Sequence, residues 1–118
     1  MRISALALFL SLAVAPACIV EGDSSFTVAN ESDYVLLEVN LAPEGSFSWG
    51  QNLLGRDVLY PGEAITVDFI SCDYYDARVI DDTNLECVIE GLDLCFDDAL
   101  WVIDNLTLDI CAFGVAER

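Results

Sequence analysis

The chain has 118 residues, enough for one domain, and 55% of them are apolar, with a mean hydropathy of +0.50. Only four arginines oppose 21 acids, for a net charge of −17, and neither His nor Lys occurs. This composition excludes disorder. The charge excludes nucleic acid as a partner and leaves cationic or protein partners open. The missing residue types exclude Ser-His-Asp and Cys-His catalysis, His-containing zinc sites and Schiff-base chemistry.

In chain order, Met1-Arg2 is a short positive start. Ile3 to Val14 is a twelve-residue apolar run, and Ala15-Pro16-Ala17 closes it with small residues. A membrane-spanning helix needs about 20 apolar residues. Residues 1–17 therefore read as a secretory signal with a cleavage site at its end. Ala15-Pro16-Ala17-Cys18 resembles the lipobox of bacterial lipoproteins, in which a small residue precedes the Cys that becomes the new N-terminus. The competing reading is ordinary signal peptidase cleavage after Ala-x-Ala, which would leave a secreted or periplasmic chain. Cysteine parity favours the lipobox: with Cys18 lipidated, Cys72, Cys87, Cys95 and Cys111 remain as an even set that can pair completely. The resemblance implies a diacylglyceryl thioether on Cys18 and usually an N-acyl chain, enough hydrocarbon for stable anchoring. Ile19 stands where inner-membrane lipoproteins often carry Asp, so the implied destination is the outer membrane, with Cys18 as the contact to the lipid. Residues 18–25 then form a lipidated tether, with Ser24 and Ser25 too polar to pack.

Period-two alternation dominates the mature chain. It places strands at Phe26 and Val28, then Val35, Leu37, Val39 and Leu41, then Ile65, Val67 and Phe69. Further strands follow at Tyr75, Ala77 and Val79, at Leu85, Cys87 and Ile89, at Leu100 to Ile103, and at Leu106, Leu108 and Ile110. Turn chemistry separates them at Asn30 to Asp33, Pro61-Gly62, Ser71 to Asp73, Asp81 to Asn84 and Asp104-Asn105. About seven strands in residues 26–113 predict an all-β fold, an antiparallel β-sandwich of immunoglobulin-like size, with a tail at 114–118. Leu92, Cys95, Phe96 and Ala99 also fall at helical spacing, so a short helix near 92–99 is the alternative there. The expected core is Phe26, Val28, Val35, Leu37, Val39, Ile65, Val67, Phe69, Val79, Ile89, Leu108 and Ile110.

The connection from Ala42 to Glu63 is the least regular stretch. Trp49-Gly50, Leu53-Leu54-Gly55 and Leu59-Tyr60-Pro61-Gly62 make the pattern W-G-x-x-L-L-G-x-x-x-L-x-P-G. It looks like a segment of small secreted bacterial β-domains of uncharacterised function, a resemblance that implies no activity. Physically, Trp49, Leu53 and Leu54 would tuck the loop onto the core while Gly50 and Gly55 permit turns.

The four later cysteines contain no C-x2-C pair, and acidic neighbours oppose a reactive thiolate. Structural disulfides are therefore expected in an oxidising compartment. Three pairings are open; a hairpin at Gly91 would favour Cys87–Cys95, leaving Cys72–Cys111. Nothing selects a catalytic carboxylate pair, so no enzyme and no resident cofactor is expected. Calcium is the alternative: Asp81, Asp82, Asn84 and Glu86, with Asp104 returning to the same end, form an oxygen-rich turn cluster. The sequence thus reads as a non-catalytic, lipid-anchored cell-envelope domain with a structural or binding role. The competing class is a calcium-dependent adhesion or recognition module.

Overall fold

The structure, a computed structural model, describes residues 24–114. The expected signal segment, Cys18, most of the expected tether and the last four residues lie outside that range. Six strands and one helix follow in order: β1 (Ser24–Glu31), β2 (Leu36–Pro43), β3 (Ala64–Ile70), β4 (Tyr74–Asp81), β5 (Glu86–Asp93), β6 (Ala99–Asp104) and α1 (Asn105–Phe113). They form two three-stranded sheets, β3-β1-β6 and β2-β4-β5. Phe26, Val28 and Ile103 from the first sheet share one buried cluster with Val39, Ala77, Val79 and Cys87 from the second.

The expected all-antiparallel pattern is corrected in one place. β1 and β6 run parallel, with Phe26 beside Ala99 and Glu31 beside Asp104, while the remaining pairs are antiparallel. A parallel neighbour needs a long crossover, and here four intervening strands supply it.

The expected strand at Leu106–Ile110 is a helix. Asp104 caps it: its Oδ1 accepts from the Thr107 N–H and hydroxyl, both at 2.8 Å. Gly114, with φ +81°, closes it by donating its N–H to the Ile110 carbonyl. Leu108 is buried while Leu106 and Ile110 are exposed, because helical periodicity turns only one of the three inward. The alternative helix at 92–99 does not form; β5 runs to Asp93 and an irregular connection leads into β6.

Bulges account for the other errors in the expected core. Leu36 lies opposite Asp81 and Glu38 opposite Ile80, so Leu37 is an extra residue in β2. The insertion reverses the phase, since strand side chains alternate with period two. Leu36 and Val39 are buried and Leu37 is exposed. In β3, Ser24 pairs with Ile70 but Phe26 with Val67, which inserts a residue at the end of that strand. Phe69 sits in this bulge at φ +60° and is exposed, not buried. Val35 is half-buried, and Ile65, Val67 and Ile89 are partly buried against the core.

Ser24 and Ser25, expected outside the domain, belong to β1. Ser24 is buried and paired with Ile70, and the Ser25 N–H donates to Asp98 Oδ1. Backbone pairing and a short hydroxyl side chain suffice to place these serines in β1.

Both disulfides form, in pairings other than the expected ones: Cys72–Cys95 and Cys87–Cys111. Gly91 has φ +73° and lies inside β5, where Tyr75 faces Leu92 and Ala77 faces Ile89, so it marks a bulge rather than a hairpin turn. β5 therefore runs on to Asp93 and carries the chain roughly 20 Å away from Cys87, at a strand rise of ~3.3 Å per residue, before Cys95 is reached. A disulfide cannot span that gap. Each cysteine pairs at its own end instead. Two such bridges suit an extracellular or periplasmic compartment. No helix among the described residues is long and apolar enough to cross a membrane.

Candidate functional site

The long connection between β2 and β3 folds along the open edge of β2. Asn52 fastens it. Its Oδ1 accepts from the N–H groups of Val39 and Leu54, and its Nδ2 donates to the Leu37 carbonyl. Leu53 donates to the Val39 carbonyl, and Leu36 and Leu59 exchange both backbone hydrogen bonds at 2.9 Å. These contacts satisfy the groups that an edge strand otherwise offers to other chains. Leu54 and Leu59 are buried, Gly50 and Gly55 have positive φ, and Pro61-Gly62 makes a turn closed by Glu63 N–H to the Tyr60 carbonyl. Leu53 and Leu54 thus tuck the loop onto the core as expected, whereas Trp49 does not join that core.

Over the outer face of the β2-β4-β5 sheet the same loop lays Trp49. The Arg78 guanidinium lies 5.0 Å from the centre of its ring, within cation–π range. Arg78 also donates Nε to Asn40 Oδ1 at 3.0 Å and pairs with Glu38 at 3.2 Å and Glu86 at 2.8 Å. Asn40 is fully buried and donates in turn to the Gln51 carbonyl. Arg78, Asn40 and Asn52 were not singled out as a site by the sequence reading. The available signal was scarcity: one of few cations, on the polar face of a strand, in a chain with a single tryptophan in its long loop.

Beside this cluster, Ala42, Pro43, Ser46, Phe47, Trp49 and Asp76 line a cleft of about 120 Å³. That is small against the several hundred Å³ of an ordinary ligand pocket. Asp76 is already engaged, accepting from the Gly91 N–H.

The residues expected to form a calcium turn separate into different tasks. Asp81 is buried and turns inward on its own loop, where Oδ1 accepts from Thr83 N–H, Thr83 Oγ1 and Leu85 N–H. Glu86 faces Arg78, Asp104 caps α1, and Asp82 and Asn84 face solvent. Among the described residues, no three acidic or cysteine side chains converge as a metal site would require. The Asp104 carboxyl is held below the usual carboxylate range by the Thr107 N–H and hydroxyl. The Tyr75 phenol is pushed up by burial and, secondarily, by the charge of Asp73.

No family model and no curated protein matches the chain. Among solved structures it is similar to a protein from Eubacterium rectale determined by NMR. The TM-score is 0.54 over 70% of this chain and 78% of that one, at 10% identity. Likeness at that identity concerns the fold alone.

Proposed function

We propose that the chain is an exported, lipid-anchored, non-catalytic domain of the cell envelope, its two sheets stacked as a small sandwich that carries a binding or structural role. The observation that carries this reading is the cysteine arrangement. Cys72, Cys87, Cys95 and Cys111 are used up in two bridges, so Cys18 is left over directly behind a signal-like run and small residues. An acidic domain is repelled by anionic head groups, and acyl chains on Cys18 would supply its hold on an outer membrane.

The polar residues support a scaffold rather than a catalyst. Arg78, Asn40, Asn52, Asp81 and Asp104 each spend their hydrogen bonds on a loop, a turn or a helix end. Mass spectrometry of the mature N-terminus is the test. The expected result is a chain starting at Cys18 with added lipid mass, and Cys18→Ala should release the protein from the envelope or block its processing. A mature chain starting elsewhere, or an unmodified Cys18, would overturn the anchor.

A further inference from the structure

We propose that the end of the molecule where the tether enters β1 is a lipid seat, a surface that rests on the zwitterionic head groups of the membrane holding Cys18. The proposal rests on the anchored reading above. Strand register defines this end. Ser24 begins β1 beside Ile70, where β3 stops, and Tyr74 begins β4 opposite Asp93, where β5 stops. Pro43, at the end of β2, pairs with Tyr75, and Leu94 donates its N–H to the Asp73 carbonyl. The Cys72–Cys95 bridge ties the two connections there together.

Five phenylalanines lie among the described residues. Phe26 is in the core, and three of the others stand exposed at this end: Phe47 at 108%, Phe69 at 81% and Phe96 at 76% relative exposure. Tyr74 joins them. Phe69 is the most informative, because it occupies left-handed backbone at φ +60°, a conformation that is costly for a bulky side chain. Its ring buries little in return, and a bulge of this kind re-aims a side chain outward.

Chain length selects the occupant. Cys18 and Ser24 are six residues apart, so the tether spans at most about 20 Å when fully extended. The opposite end of β1 lies a further ~25 Å away along the strand. The aromatic end is therefore the part of the domain held within reach of the bilayer, where Phe rings bury at the boundary of head groups and acyl chains and a Tyr ring sits at the head-group level. Glu44, Asp73, Asp97 and Asp98 share this end, and their charge favours net-neutral over anionic lipid.

The test uses the full lipidated chain in phosphatidylcholine vesicles with brominated acyl chains. Phe69→Trp and Phe96→Trp place reporters at the seat, and Tyr60→Trp places one at the far end. The expected result is a blue shift and a loss of emission for the first two over the parent protein and none for the third. That loss should shrink as phosphatidylglycerol is added. The mass of the mature chain and its flotation with the vesicles are read in the same samples. A lipidated, floating protein whose Phe69→Trp and Phe96→Trp reporters are quenched no more than Tyr60→Trp overturns the seat alone. A chain without lipid on Cys18 overturns the anchor and the seat together.

Discussion

Arg78 lies beneath Trp49 while its Nε–H holds Asn40 Oδ1, so one cation joins the long loop to the face of the β2-β4-β5 sheet. Arg78→Ala should leave Asn40 buried without its donor and cost about 2 kcal/mol, the scale of an unsatisfied buried polar group. Glu86 is half-exposed, and its ion pair is screened by solvent. Glu86→Gln should therefore shift stability by less than about 1 kcal/mol. Urea denaturation of both variants checks the contrast; equal losses would mean that the ion pair, and not the Asn40 contact, holds the loop.

The bridges make a prediction that peptide mapping can read directly. Nonreducing digestion should yield Cys72 linked to Cys95 and Cys87 linked to Cys111, with no Cys87–Cys95 peptide. The enclosed separations are 23 and 24 residues. In the chain-entropy model each bridge then contributes about 3 kcal/mol. Replacing Cys87 and Cys111 together by Ala should lower stability by that order. It should also increase amide exchange in α1 more than in β1 or β4.

Phe69 offers a substitution that separates stability from surface. Phe69→Gly removes the penalty of left-handed backbone and deletes a ring with few contacts. Stability should hold or rise by about 1 kcal/mol, against the loss expected at a core phenylalanine such as Phe26. Thermal melts of Phe69→Gly and Phe26→Ala side by side give the comparison. A loss at Phe69 as large as at Phe26 would show that its ring packs.

Asp104 ties stability to acid. Its folded-state carboxyl titrates below its ordinary value, because the Thr107 N–H and hydroxyl bind the charged form. A depressed carboxyl stabilises the fold fully above the unfolded-state value of about 3.9 and loses that contribution as pH falls through the lower folded value. Asp104→Ala should therefore melt lower than the parent protein at pH 7, and the difference should narrow below about pH 4. A difference that stays constant down to pH 2 would remove the charge from the explanation.

Alternation placed β1 to β5 within a few residues, since those segments set an inner face against an outer one, and the β-prone Trp101-Val102-Ile103 triplet placed β6. The turns at Pro61-Gly62 and Asp81 to Asn84 and the loop cap at Leu53-Leu54 were equally local, set by backbone preference and side-chain size. Inverted faces, cysteine partners and the last element were not local. Leu37 and Phe69 face solvent because each β-bulge is a mismatch between two strands, and one strand's pattern carries no record of its partner's length. Leu106, Leu108 and Ile110 alternate as a strand would; the cap at Asp104 and the bridge from Cys111 to Cys87 decide for the helix. Cysteine count fixed that bridges could form. Which cysteines meet depended on β5 continuing past its bulge at Gly91 instead of turning back there, because a covalent bond only a few ångströms long requires both ends to reach the same place in three dimensions.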